Sequence, residues 1–255
     1  MKAATFEILM PSLTNEKLIH VENAITFVGS IFRKNRDDFK LLYSTNSKDL
    51  KLDISGESIC INHSDLEKQI IDDLEKKTSR LLLIPFQKKI KRFIKPSILP
   101  EDHIIFDSSF PVLTYKNILP ADTIKSVVVP LALNEDFMPL VMKTLKFIKT
   151  LKNVTLHIVS VLHNSDDYSL NKATQQLSFL NHLFLENNIK HTAEIINSQS
   201  GIEFNSEIVL EHISRVNADL VVLYKNSPSE KKSSIINENL FEIIAKSEVP
   251  IITFI

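Results

Sequence analysis

The chain has 255 residues, 44% hydrophobic and 24% charged, with 30 basic residues against 31 acidic and a net charge of −1, the make-up of a folded protein long enough for one large or two small domains. That balance, with a pI near 6.7, excludes the electrostatic footprint of a nucleic-acid or anionic-membrane binder. One cysteine, Cys60, excludes an internal disulfide, and three glycines, Gly29, Gly56 and Gly201, exclude any function that needs several glycines in one loop.

From the N-terminus, the segment MKAATFEILMPS breaks its apolar residues with Glu7 and Pro11, so it lacks a signal-peptide core, and no apolar run reaches the length that spans a bilayer. A soluble, cytoplasmic protein is expected. The first strand is FEILMP. A helix stripe follows at Val21, Ile25, Val28 and Phe32, then strands FKLLYS and ESICINH, a charged helix SDLEKQIIDDLEKK, and strands RLLLIPF and FPVLTYK. Past residue 120 the plan starts again. KSVVVPL is a strand; Val141, Met142, Leu145 and Ile148 mark a helix; VTLHIVSVL is a strand; Ala173, Leu177, Leu180 and Phe184 mark a long helix. HTAEIIN, a helix stripe at Val209, Ile213 and Val216, and the strands ADLVVLY and VPIITFI complete the chain. Aliphatic strands alternating with helix-period segments predict parallel sheets covered by helices on both faces.

The two halves repeat one another. Pro85 to Pro111 is 26 positions and Tyr224 to Pro250 is also 26, so the closing stretches align without a gap. Upstream, Pro11 to Pro85 is 74 positions against 94 from Pro130 to Tyr224; the missing length corresponds to the helix after the second strand, which TNSKDLKLDISG is too short and too polar to replace. The expected architecture is α/β, with two tandem doubly wound, Rossmann-like domains of five parallel strands each, residues 1–119 and 120–255, the first lacking one helix.

The second half resembles a universal stress protein domain, and the whole chain resembles a tandem pair of them. The resemblance rests on the opening strand and turn SVVVPLALNED, on Gly201 before the third helix, on NADLVVLY and on AKSEVPIITF. It implies the adenine nucleotide alpha hydrolase-like fold. Family members that bind ATP carry a Gly-x2-Gly-x9-Gly-Ser/Thr loop after the fourth strand and an acidic residue two positions after the first-strand proline. Glycines let backbone N–H groups approach phosphate oxygens, and the following helix N-terminus favours negative charge. On this sequence the pattern falls on Tyr224, Ser227, Asn237 and Glu238, with Ala132 at the acidic position. In the first half it falls on Pro85, Lys88, Ile98 and Leu99, with Leu13 at the acidic position. Every position departs from the pattern. A bulky residue forced left-handed costs about 1–2 kcal/mol, and a carboxylate about 4 Å from a phosphate repels it by up to roughly 4 kcal/mol. Neither half is therefore expected to bind ATP in the family manner, and no cofactor is expected.

Other candidates are weaker. The basic run QKKIKRFIK, with Lys88, Lys89, Lys91, Arg92 and Lys95, reads as a solvated face or as point charges for an anion. Ser227, Ser229, Ser233 and Ser234 with Lys231 and Lys232 form a similar loop. The eight histidines show no metal-ligand spacing; His157, within a strand, reads as a hydrogen-bonded histidine, and Cys60 as a small apolar residue. Gly-x-Ser-x-Gly is absent, and nothing reads as catalytic machinery.

The resemblance further implies that the closing strands meet as an antiparallel pair, making the chain its own pseudo-dimer through Phe110, Val112, Val249 and Ile251. The expected function is a non-enzymatic, stress-associated scaffold or partner-binding protein, acting through a protein partner or self-association, with no nucleic acid, membrane or metal involved. The alternative is a sensor of a small anionic ligand or nucleotide in the crevice beyond the second domain's strand ends, lined by Pro130, Leu131, Ala132, Val161, Tyr224, Lys225, Asn226, Ser227 and Asn237.

Overall fold

The computed structural model describes residues 5–10, 18–32, 39–43, 57–60, 79–85, 111–116, 124–131, 138–162, 167–198, 205–224 and 234–254. Contacts divide the chain into two compact units, one built on Met1–Ala121 and the other on Asp122–Lys225 with Lys231–Phe254.

In the first unit β1 (Thr5–Met10), β2 (Phe39–Tyr43), β3 (Glu57–Cys60), β4 (Ser79–Pro85) and β5 (Val112–Tyr115) form a parallel sheet in the order β3-β2-β1-β4-β5. Helix α1 (Leu18–Phe32) turns Val21, Ala24, Ile25, Val28 and Ile31 inward, the three- and four-residue spacing of a buried helix face. Both neighbours of β1 bury aliphatic side chains, Leu81 to Ile84 on β4 and Leu41 on β2. Tyr115, at the end of β5, is also buried, and its hydroxyl donates to the His20 carbonyl of α1 at 3.4 Å. The segment expected to lack a helix, 44–56, and the charged helix SDLEKQIIDDLEKK lie outside the described residues.

The second unit contains β6 (Ser126–Pro130), α2 (Met138–Ile148), β7 (Thr155–Leu162), α3 (Asp167–Glu186), β8 (Lys190–Asn197), α4 (Ser206–Arg215), β9 (Leu220–Tyr224), α5 (Ser234–Lys246) and β10 (Ile251–Phe254). All strand pairs are parallel, in the order β10-β9-β6-β7-β8. Right-handed crossovers from β6 to β7 to β8 put α2 and α3 on one face; crossing back to β9 and then to β10 puts α4 and α5 on the other. Helices α4 and α5 are joined by the Ser206 hydroxyl, which donates to Glu242, a carboxylate that also pairs with Lys246 one turn on.

Asparagine replaces glycine at three helix-to-strand turns of this unit. Asn153, Asn188 and Asn217 have φ of 53°, 55° and 47°; Asn188 and Asn217 stand two residues past α3 and α4, where a left-handed residue ends a helix, and Asn153 stands two residues before β7. Asparagine tolerates that conformation better than other side-chain-bearing residues, which is how a chain so poor in glycine makes these turns. Helix α4 is opened by another asparagine: Asn205 Oδ1 accepts from the Glu207 amide at 2.9 Å.

The helix stripes read from the sequence hold over their described residues with two corrections, the Phe32 side chain lying outside them. Met142 is 45% exposed, because Leu140, Thr144 and Phe147 take the inward positions of α2 alongside Val141, Leu145 and Ile148. Val216 lies beyond the last turn of α4 as its C-cap, where the helix has already ended and the stripe no longer points at the sheet.

Candidate functional site

The chain's direction across the sheet reverses beside β6. It steps outward through β7 and β8, then returns to place β9 on the other side of β6. Helices α2 and α5, which follow β6 and β9, lie on opposite faces of the sheet, the arrangement in which open α/β sheets hold ligands in a crevice beyond the strands' C-terminal ends.

The strands deliver mostly apolar groups there. Pro130 is buried at the end of β6, and the Leu131 amide donates to the Val159 carbonyl of β7 at 2.8 Å. Leu131 is 3% exposed and Val161, near the end of β7, 7%. β6 and β9 pair through Val127 with Leu220 and Val128 with Val221; carried on, that register brings Leu131 level with Tyr224. Tyr224 is the half-buried last residue of β9, paired with Phe254 of β10. Lys143 of α2 holds its ammonium 5.8 Å from the centre of the Tyr224 ring, a cation–π contact that contributes about 0.5–1 kcal/mol at an exposed site. Among the described crevice residues the polar groups are the Tyr224 phenol and the Lys143 ammonium. Neither is a carboxylate.

Of the residues assigned to this crevice from sequence, Pro130, Leu131, Val161 and Tyr224 lie at or just beyond the C-terminal ends of the neighbouring strands β6, β7 and β9. Asn237 belongs to the first turn of α5 by its backbone. Ala132, Lys225, Asn226 and Ser227 lie outside the described residues, as does the basic run Lys88 to Lys95. Val112 opens β5 and Ile251 opens β10, both buried. Val249 is half-buried, its amide donating to the Ser247 hydroxyl at 3.2 Å, and Phe110 lies outside the described residues.

A second polar grouping was not singled out from sequence. β7 and β8 pair through His157 with Thr192 and Val159 with Glu194, so His157, Thr192 and Glu194 share one face of the sheet. His157 Nδ1 lies 2.8 Å from the Thr192 hydroxyl, as expected of a hydrogen-bonded strand histidine. Helix α4 places His212 and Arg215, three residues apart, against Glu194. His212 Nδ1 is 2.7 Å from the Arg215 guanidinium and 3.5 Å from the Glu194 carboxylate, and Arg215 also pairs with Glu194. A guanidinium only donates, so the 2.7 Å contact requires a lone pair on Nδ1 and puts the His212 proton on Nε2. That nitrogen is buried, with no hydrogen-bond partner among the described residues. Burial first, then the Arg215 and His157 charges, hold the His212 pKa below its ordinary value against the opposing pull of Glu194. The His157 pKa is also lowered, by burial and then by Lys190.

The signal was present in the sequence: His212 lies three residues after Val209 on the stripe that α4 buries. Among the described residues no group of three or more His, Cys, Asp or Glu side chains is placed to hold a metal ion, and no helix is long and apolar enough to cross a membrane. The grouping is a polar seam between α4 and the outer strands.

No protein-family model matches the chain, and no curated protein matches it. Solved structures do. A universal stress protein from Archaeoglobus fulgidus superposes with a TM-score of 0.65 at 13% identity, covering 97% of this chain and 95% of that one. A putative universal stress protein from Pseudomonas aeruginosa superposes with 0.66 at 12%, covering 99% and 94%. The cytoplasmic domain of a prokaryotic cation chloride cotransporter also matches, with 0.52 at 12%, covering 98% and 95%. Likeness at such identity is likeness of fold, and the third match shows the fold serving in a protein of another kind. The strand order, the switch point beside β6 and near-complete coverage by structures of matching length agree: the chain has the tandem α/β fold of the universal stress proteins.

Proposed function

We propose that this protein is a non-enzymatic scaffold or partner-binding protein built on the universal stress protein fold, and that its second unit does not take ATP as the glycine-loop members of that family do. The observation that carries this reading is Tyr224. It ends β9 at the place of the first loop glycine, half-buried, level with buried Leu131 and under the Lys143 ammonium. A phosphate-binding turn needs bare backbone N–H groups at that point. Here a phenol ring fills the approach, and the described wall around it is aliphatic.

The test is calorimetry of the purified chain with Mg-ATP. No saturable heat is expected up to about 1 mM, and binding tighter than about 10 µM, roughly −7 kcal/mol, would overturn the reading. A second reading is favoured by Lys143. An ammonium beside an aromatic ring at the mouth of an apolar crevice suits a small organic anion. Native mass spectrometry of gently purified protein separates the two: a bare polypeptide mass supports the scaffold, and a stoichiometric small-molecule adduct supports the sensor.

A further inference from the structure

Helix α3 turns Ala173, Leu177, Leu180 and Phe184 toward the core and carries large apolar side chains on its outer side. Tyr168 is 78% exposed and Phe179 50%. Residues seven apart on a helix fall within about 20° of one another, so Lys172, Phe179 and Glu186 form one outward row, with exposed Gln175 and His182 between them. The row is basic near its N-terminal end, aromatic in the middle and acidic at its C-terminal end. Glu186 lies 3.1 Å from His182 within the helix.

We propose that this row is a self-association surface, joining two copies of the chain through antiparallel α3 helices about a two-fold axis that crosses at the height of Leu177. A basic–aromatic–acidic row is complementary to itself reversed, and an antiparallel second copy presents that reversed order. A partner of uniform charge would meet like charge at one end.

The height of the axis follows from side-chain direction. Helical side chains lean toward the N-terminus of their own helix. With the axis level with Leu177, the Phe179 rings of the two copies lean toward each other and meet on it. Lys172 and Glu186 of the second copy have Cα atoms about 6 Å apart in height, and their side chains lean together across that interval. Two symmetry-related ion pairs thus flank one aromatic contact. A contact of this size is at the low end for specific interfaces, so a dissociation constant on the order of tens of micromolar is expected.

Sedimentation velocity of the full chain over about 1–100 µM, at low salt, reads the equilibrium. The wild type should dimerise with rising concentration. Phe179→Lys should weaken the dimer at least about thirtyfold, as for a central aromatic anchor. Lys172→Glu should weaken it about tenfold, because both ion pairs become repulsive. Lys172→Glu combined with Glu186→Lys should restore wild-type association, since it inverts both charges and keeps the pairing. These positions are exposed, so each variant retains the fold, and far-UV circular dichroism confirms it. A wild type that stays monomeric at the highest concentration overturns the proposal. A dimer indifferent to Phe179→Lys, or a double variant no tighter than Lys172→Glu, overturns it equally.

Discussion

Asp219 supplies the sharpest test of how the second unit holds together. It stands one residue before β9, in the turn that leaves α4 through left-handed Asn217. Its Oδ2 accepts from the Lys125 amide at 2.8 Å and from the Ser126 amide at 3.0 Å. Its own amide donates to the Ser126 carbonyl at 2.8 Å. One carboxylate therefore ties the start of β9 to the start of β6, the two strands that flank the switch point. Asp219→Ala removes two charge-assisted bonds. Hydrogen bonds to a charged group contribute about 1.5–3 kcal/mol each, less where the bereft donor can turn to water. Lys125 is exposed and its amide rehydrates; the Ser126 amide is part-buried and does so poorly. The net cost is about 2–3 kcal/mol, or roughly 5–10 °C of melting temperature. Asp219→Asn keeps an oxygen acceptor without the charge and should lose about half as much. Thermal melts read the size of the effect, and hydrogen exchange at the Ser126 amide reads its place. A melting temperature within about 1 °C of wild type for Asp219→Ala, or unchanged exchange at Ser126, would refute the reasoning.

Two predictions concern pH. The His212 pKa is held below its ordinary value by burial and by Arg215, so in the window below about 6.5 the unfolded chain binds the proton more readily than the folded one. The stability this histidine contributes is complete above that pH and declines as the pH falls through the window; denaturant titrations at several pH values should show the slope, and an unchanged slope in His212→Gln would refute the assignment. Burial pushes the Tyr115 phenol well above its ordinary value, so its contribution is complete below about pH 10 and is lost as the pH rises past it. Ultraviolet titration should find one tyrosine that ionises only when the protein unfolds in alkali, and Tyr115→Phe should remove that late step; a Tyr115→Phe variant that still shows it would place the buried phenol elsewhere.

The strands were legible because each is an aliphatic run bounded by polar residues. SVVVP, TLHIVSVL and LVVLY became β6, β7 and β9 at nearly the expected bounds. The helices were legible in outline and less so in facing, as Met142 shows. A single stripe residue shifts outward when neighbours such as Leu140 and Phe147 fill the inward positions better, and that competition is settled by packing. The left-handed turns were not read, although Asn153, Asn188 and Asn217 each precede an apolar residue that starts toward the next strand. Asparagine is also common in loops and helix caps, so its presence alone does not mark a left-handed turn as glycine does. The His212, Arg215 and Glu194 grouping was hidden for a different reason. It depends on which strand pairs with which and on which face α4 covers, and no local pattern carries that information. The same holds for Lys143 beside Tyr224: the residues lie on α2 and β9 and meet only once the sheet order is set.

On the reading proposed above, that last contact bears on how the fold persists where a nucleotide is not held. A glycine at the end of a strand leaves backbone conformational freedom to be lost on folding, about 0.5–1 kcal/mol relative to alanine. An aromatic residue there suits the pleated sheet and buries part of its ring. Tyr224 is in register with Phe254 of β10 and under the Lys143 ammonium, so its side chain strengthens this end of the sheet. On the proposed reading, the two demands on this position oppose each other. Nucleotide binding asks for bare backbone, and sheet packing asks for a side chain. Where the first demand is absent the second prevails, and the β6–β9 junction remains because the sheet is built around it.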